Sequence, residues 1–271
     1  MSDHGRLPRS AAVRSAEESI AGGRECFKNF DVRGRRPPKC GCQRSSPAGP
    51  DLIQQAVVTK IIARKRLVLV IGASVAGIFE TGFAASSIVL LLGLAGLFIG
   101  ARDQPEETGF TAISGALAVG IVTGVGYITL DALLFWPGLP PALREITPAP
   151  LAPRLAYFVV AACQDEVIWR LFGLSLLLVL IARFRPETRP SASTIAAAIV
   201  LSAVLYVLFH LPFVTSRAAL TPFLVARELA LHFTTPIVWG IVYCRLGLAA
   251  SMTAHAAAHL PIQLGMTLLS P

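Results

Sequence analysis

The chain has 271 residues, of which 54% are hydrophobic and 15% are charged, and its mean hydropathy is +0.64. Soluble domains carry about 25% charged residues, so this composition excludes an ordinary soluble protein and indicates an integral membrane protein. The formal net charge is +8, but residues 1–66 hold 14 Lys/Arg and 6 Asp/Glu, which accounts for the whole excess. Because the membrane part is formally neutral, we expect no nucleic-acid partner.

Residues 1–66 are rich in Gly, Ser, Pro and Arg and contain no apolar run before residue 67. This composition predicts a disordered basic tail and not a secretory signal peptide. Lys60, Arg64, Lys65 and Arg66 directly precede the first apolar run, and basic residues at such a position favour the cytoplasmic side. We therefore predict a multi-pass protein of the inner (plasma) membrane whose tail is cytoplasmic and contacts anionic lipid.

The first apolar stretch, from Leu67 to Gly100, is longer than one membrane span of about 20 residues. It is interrupted once, by Glu80-Thr81-Gly82. Either two short helices turn near Gly82, or one long tilted helix carries Glu80.

Five more apolar segments follow, and each is long enough to cross about 30 Å of hydrocarbon as a helix. They are Phe110–Phe135, Leu155–Ala182, about Ala192–Val214, about Phe223–Cys244 and Leu248–Leu269. The sequence therefore predicts an all-α, polytopic transmembrane bundle of six or seven spans over residues 67–271. The Arg-rich loop 183–189 favours seven, because a cytoplasmic N-terminus then places this loop in the cytoplasm too.

Three short strings carry ionisable residues inside these apolar segments: Asp165-Glu166-Val-Ile-Trp-Arg170, Tyr206-Val-Leu-Phe-His210 and His255-Ala-Ala-Ala-His259. Charge is costly at membrane depth, so such a cluster indicates a functional site. Glu166 and Arg170 are four residues apart on one helix face, which predicts an ion pair. Asp165 is rotated by about 100° from Glu166 and is freer to face a reacting group.

The histidines complete this predicted site. His255 and His259 are also four residues apart, a spacing familiar from metal-binding helices. His210 is followed by Leu211-Pro212, and the proline predicts that the helix bends or stops beside it. If the three helices converge, a carboxylate can accept a proton from water while histidines stabilise an oxyanion. Alternatively, a metal held by histidine and carboxylate supplies the polarisation.

The three strings resemble the EExxxR, FxxxH and HxxxN motifs of the CPBP (Abi) family, which contains CAAX prenyl proteases and bacteriocin-processing membrane enzymes. The resemblance covers roughly Leu151 to Leu269 and implies a protease core over residues 151–269. It implies an intramembrane endopeptidase of glutamic or metal-dependent type. The substrate would be a lipidated CAAX-type peptide or another membrane-embedded protein.

By this resemblance, Asp165 takes the place of the water-activating glutamate and His210 that of the histidine that helps it. Glu166 is the adjoining catalytic carboxylate and Arg170 its structural support. His255 and His259 would hold the water or metal and the oxyanion. A metal-dependent mechanism would use a divalent ion such as zinc, held by Asp165, His210, His255 and His259.

The chain departs from the family motifs at three positions, with Asp at 165, Tyr at 206 and His at 259. Tyr206 is interpreted as a packing variant. These departures keep open a noncatalytic protein of the same fold, such as a bacteriocin immunity or scaffold protein. An ion or proton transporter is a further alternative, although the sequence lacks a pair of similar halves with interrupted helices. His232, Glu80 and Asp131 belong to no motif, and each is expected to be a buried, hydrogen-bonded residue or a residue near an interface.

Overall fold

A computed structural model describes residues 50–80, 82–99, 109–144, 149–184 and 190–270. The regular structure of these residues is all helical, without a strand among them, which confirms the predicted fold class. The α-helices are α1 (Pro50–Glu80), α2 (Phe83–Ile99), α3 (Phe110–Leu130), α4 (Pro141–Arg144), α5 (Leu151–Asp165), α6 (Ser175–Phe184), α7 (Ala192–Thr215), α8 (Pro222–Glu228), α9 (Thr234–Leu246) and α10 (Leu248–Leu269). Residues 1–49, which hold most of the predicted tail, lie outside the described residues.

Within the described ranges, four helical stretches are long and apolar enough to cross a membrane. They are Phe110–Gly138, Leu151–Phe184, Ala192–Thr215 and Pro222–Leu246. Helix α2 is apolar but has 17 residues. The protein is thus a multi-pass membrane protein, and its total of six or seven spans stays a prediction.

The first two helices settle the alternatives for the stretch from residue 67 to residue 100. Helices α1 and α2 are separate, and Gly82 between them has φ of +87°. Glycine adopts such a backbone conformation without steric cost. Helix α1 begins at Pro50, so residues 50–66 are helical, although the predicted tail included them.

Three of the long helical stretches contain π-helical segments. Asp131–Phe135 continues α3, Glu166–Leu174 joins α5 to α6, and Leu229–Phe233 joins α8 to α9. Each of these segments carries ionisable side chains inside an apolar helix, and π-helical turns are frequent at functional sites. The predicted segments match the observed helices closely in extent, but the apolar pattern did not predict the change of helix type.

Helix α7 positions the second motif. Its first turn is capped by Ser191, whose hydroxyl accepts a hydrogen bond from the backbone N–H of Thr194 at 3.3 Å. Pro212 lies inside the helix, which continues to Thr215. The expectation that the helix stops beside His210 was therefore wrong. The proline removes one backbone donor, but a single lost hydrogen bond does not end a helix that packs on its neighbours.

Close packing of small residues fixes α10, which carries the third motif, against α3. A Cβ atom added to Gly120 would lie 2.1 Å from the carbonyl oxygen of Ala254. A Cβ atom added to Gly124 would lie 2.3 Å from the carbonyl oxygen of Ala258. Small residues let helix backbones approach closely in membranes, where packing replaces the hydrophobic driving force. These two glycines therefore set the distance between the helices.

We expect Gly120→Ala to lower stability by about 1–3 kcal/mol, because the new methyl group forces α3 and α10 apart. The measurement is the midpoint of thermal unfolding in detergent. Gly115→Ala is the matched control on the same helix, since a Cβ atom there meets nothing within 4 Å. We expect this control to unfold at or slightly above the wild-type midpoint, because alanine favours helix over glycine. Equal midpoints for the two variants would contradict the packing argument.

Candidate active site

Glu166 is the buried centre of the polar cluster. Its side chain is inaccessible, and both carboxylate oxygens have partners. Oε1 accepts a hydrogen bond from Nδ1 of His255 at 2.9 Å, and Oε2 accepts one from the Ser251 hydroxyl. Nε of Arg170 lies 3.6 Å from Oε2, which confirms the predicted ion pair. Glu166 thus ties the first motif to the third and has no oxygen left for a reacting group.

Asp165, the adjacent carboxylate, is in a different environment. Its Oδ2 accepts a hydrogen bond from the Tyr206 hydroxyl at 3.2 Å, while Oδ1 makes no hydrogen bond with the described residues. The side chain is only partly buried. The interpretation of Tyr206 as a packing variant is therefore corrected, because its hydroxyl holds the carboxylate and a phenylalanine could not.

His210 lies on the same helix as Tyr206 and contacts it twice. Nδ1 of His210 is 3.0 Å from the carbonyl oxygen of Tyr206, and the two ring centroids are 4.2 Å apart. A carbonyl oxygen only accepts, so Nδ1 must carry the proton and donate it. In the neutral imidazole, Nε2 then presents a lone pair. Tyr206 thus fixes both the tautomer of His210 and the carboxylate of Asp165.

His255 and His259 form part of a row of stacked rings. The ring centroids of His255 and His259 are 5.3 Å apart, with Trp239 stacked beside the first and Phe158 beside the second. Nδ1 of His255 donates to Glu166, which leaves its Nε2 without a hydrogen bond to the described residues. Nδ1 of His259 is buried without a hydrogen-bond partner there. The row places two imidazoles rigidly on the Glu166 side of the cluster.

The first-motif carboxylates bring the three strings together. Asp165 accepts a hydrogen bond from Tyr206 of the second motif, and the adjacent Glu166 accepts one from His255 of the third. Because the three motifs lie on α5, α7 and α10, this convergence is a property of the bundle and not of local sequence. The roles assigned to the individual residues stay predictions.

A metal ion was a further prediction for this cluster. Among the described residues, no three His, Cys, Asp or Glu side chains are grouped closely enough to hold one. Zinc sites use at least three protein ligands, so a zinc ion held by Asp165, His210, His255 and His259 stays a prediction.

Two residues beside the cluster were not predicted as part of it. His232 stacks on His210 with ring centroids 5.3 Å apart, and its Nδ1 lies 2.7 Å from Oε2 of Glu228. His232 is half-buried and has polar partners, so the buried position, one of the two expected of it, was wrong, and its contact with the second motif was missed. The signal in the sequence is the spacing of Glu228 and His232, which are four residues apart in an apolar segment.

The fold and this cluster define a polytopic helical membrane protein with a carboxylate and histidine site inside its bundle. Residues 147–260 match the family model described as type II CAAX prenyl endopeptidase Rce1-like. The matched segment spans all three motifs, and the resemblance to the CAAX protease family seen in the motifs is confirmed. The chain matches no curated protein and no solved structure.

Proposed function

We propose that this protein is an intramembrane endopeptidase that hydrolyses a peptide bond of a membrane-associated substrate. The family match supports a protease acting on a membrane-associated peptide. The observation that carries the proposal is that the two adjacent carboxylates differ in their hydrogen bonds. Glu166 has every oxygen engaged, whereas Asp165 is held through Oδ2 and leaves Oδ1 open. This is the arrangement expected of a rigid support beside a proton acceptor.

In the proposed reaction, Asp165 accepts a proton from water through Oδ1. The water oxygen forms a bond to the carbonyl carbon of the substrate, whose oxygen becomes an oxyanion. Nε2 of His210 carries a lone pair because Nδ1 donates to Tyr206, so it can accept the second hydrogen of the water and orient it. Asp165 then returns the proton to the leaving nitrogen as the C–N bond breaks. The oxyanion re-forms a carbonyl as that bond breaks, and the second hydrogen of the water stays on the new carboxylic acid, so the step balances without a co-reactant.

The third motif is proposed to stabilise the oxyanion. His255 donates from Nδ1 to Glu166, so a protonated ring would donate from Nε2 toward the substrate oxygen. His259 stacks beside it at 5.3 Å, which keeps both rings on one side of the reacting carbon. A preorganised donor at an oxyanion contributes about 3–4 kcal/mol to catalysis. The imidazole at 259 takes the part that the asparagine of the family motif would play.

The location of the site limits the substrates. The first two motifs lie within two of the four stretches able to span a membrane, and the third lies in α10, so the scissile bond must reach membrane depth. We propose a lipidated CAAX-type peptide or a transmembrane segment as substrate. We also propose that the protein lies in the inner membrane with its N-terminal side in the cytoplasm, because Arg64, Lys65 and Arg66 precede the apolar part of α1.

The proposal predicts that protein purified in detergent cleaves a prenylated CAAX-type peptide or members of a membrane-peptide library. We expect His210→Ala to lower kcat by about 10²–10³-fold, because the water loses its orienting acceptor. Mass spectrometry of the products measures the rate and locates the cleaved bond. An added chelator and metal analysis test the predicted zinc dependence in the same assay. Equal background cleavage by the wild type and His210→Ala would favour a noncatalytic membrane protein of the same fold.

A further inference from the structure

A second polar pair, Glu228 and His232, lies next to the proposed site but belongs to none of the three motifs. The distance from Nδ1 of His232 to Oε2 of Glu228 is 2.7 Å. The Glu228 side chain is almost fully buried, and that of His232 is 24% exposed. The pair lies where α8 passes into the π-helical segment 229–233. A carboxylate at this depth is costly unless it has partners, so the position of His232 is strongly constrained.

Glu228 is itself fixed by the preceding residue of α8, Arg227, which in turn is held by a carboxylate at the end of α3. Oε1 of Glu228 lies 3.1 Å from NH1 of Arg227. Arg227 makes two further hydrogen bonds, at 2.7 and 2.8 Å, to the two carboxylate oxygens of the buried Asp131. Bidentate pairs of this kind are geometrically specific. The polar chain Asp131, Arg227, Glu228 and His232 therefore runs from the end of α3 to the edge of the site.

At the end of this polar chain, the ring of His232 stacks on the ring of His210. The rings of His232 and His210 are nearly parallel, with an interplanar angle of 21° and centroids 5.3 Å apart. The ring of Tyr127 meets His232 edge-on, at 5.8 Å and 82°. His210 has one hydrogen bond of its own, from Nδ1 to the Tyr206 carbonyl oxygen. One hydrogen bond fixes the tautomer of a ring but leaves its tilt free, so the tilt depends on the faces that pack against it.

We propose that His232 is a positioning residue, which sets the plane of the His210 imidazole and so aims Nε2 at the attacking water. Glu228 holds His232 in place by its Nδ1, and Arg227 and Asp131 hold Glu228. This inference rests on the proposed hydrolysis, because it assigns a partner to the histidine of that reaction. What His232 contributes is its flat face, and not a proton or a ligand atom.

The kinetic test compares two apolar replacements that both lose the polar contacts of His232, namely the ion-pair contact of Nδ1 with Glu228 at 2.7 Å and the contact of Nε2 with the Tyr127 hydroxyl at 3.4 Å. His232→Phe keeps a flat ring against His210, whereas His232→Leu has similar bulk without one. We expect His232→Leu to lower kcat about 10–100-fold with KM changed less than about twofold, because misplacement by 1 Å costs about this much. His232→Phe should recover most of the lost kcat. Equal kcat values for the two variants would overturn the proposal.

Leu231→Ala controls for general loosening of the π-helical segment. Leu231 is 1% exposed, whereas the His232 side chain is 24% exposed, so the two side chains lie on different sides of the segment and truncating Leu231 leaves a cavity without removing the ring contact. We expect Leu231→Ala to lower the unfolding midpoint and leave kcat close to the wild-type value. A kcat loss equal to that of His232→Leu would attribute the effect to stability and overturn the proposal.

A spectroscopic readout separates this inference from the proposed function. The chain contains five histidines, so ¹⁵N-histidine labelling in detergent resolves His210, assigned with His210→Ala. In the wild type and in His232→Phe, we expect the His210 ring nitrogens to give one sharp set of signals typical of the Nδ1–H tautomer. In His232→Leu, we expect the same signals to be broadened by exchange between ring orientations. If the wild type cleaves no peptide but this pattern holds, the hydrolysis fails and the positioning contact stands. An unchanged His210 signal in His232→Leu overturns the contact whatever the activity.

Discussion

Asp165→Asn is expected to abolish peptide hydrolysis, with kcat about 10²–10⁴-fold lower than in the wild type. The amide cannot accept the proton of the attacking water at any working pH. The change is nearly isosteric, and the amide oxygen can still accept the hydrogen bond that the Tyr206 hydroxyl donates to Oδ2 at 3.2 Å. We therefore expect wild-type unfolding temperature and yield. Initial rates of peptide cleavage check the expected loss of activity, and thermal unfolding curves check that the fold is unchanged.

Tyr206 supplies a companion variant. Tyr206→Phe removes the hydroxyl but keeps the ring 4.2 Å from His210 and the backbone carbonyl that fixes its tautomer. We expect an intermediate loss of about 10-fold, because Asp165 remains charged but turns more freely. The double variant Asp165→Asn/Tyr206→Phe should be no slower than Asp165→Asn alone, since the hydroxyl acts through the carboxylate. Additive losses, or full activity in Asp165→Asn, would move the general base to another residue.

Glu166→Ala is expected to give the largest loss of stability, about 3–5 kcal/mol, because it leaves Arg170 as an uncompensated buried charge. Arg170 is 1% exposed, and the charge of its guanidinium is balanced by the Glu166 carboxylate at 3.6 Å. The same change frees Nδ1 of His255 and the Ser251 hydroxyl. The measurement is the fraction of protein that stays monodisperse in detergent across a temperature ramp. Val122→Ala, at a position 72% exposed on α3, is the neutral control.

A double variant separates folding from chemistry at the same position. Glu166→Leu/Arg170→Met replaces the buried ion pair by apolar side chains of similar volume, an exchange that is often neutral or stabilising. We expect this variant to regain the stability lost in Glu166→Ala and to stay inactive, because His255 has lost the carboxylate that orients it. If the single variant is already as stable as the wild type, the proposed supporting role of Glu166 is wrong.

The helices and the site motifs were predictable from the sequence for separate physical reasons. Long apolar segments must form helices in a membrane, because backbone groups have no water to bind. The predicted α10, Leu248–Leu269, has the observed bounds. The pairing of Glu166 with Arg170 followed from their spacing, since residues four apart on a helix are neighbours.

What the sequence did not reveal depends on contacts between helices. The hydroxyl of Tyr206 contributes to the site only because α7 places it 3.2 Å from the Asp165 carboxylate on α5. His232 counts only because α8 and α9 bring it against His210. Neither contact produces a periodic pattern in the sequence. The apolar pattern that identifies a membrane helix also does not reveal a local change from α-helix to π-helix. Fixing such details requires the packing of the whole bundle.

The π-helical segment Glu166–Leu174 lies directly after Asp165. A π-helical turn holds more residues than an α-helical turn, so the segment acts as an insertion that offsets the helical phase of everything after it. If this turn reverted to α-helix with no residue removed, the surplus residue would rotate α6 against α5 by about 100°. Asp165 would then turn away from Tyr206 although every motif residue was still present. The helix type between the motif and the helix end therefore carries information that the motif letters alone do not.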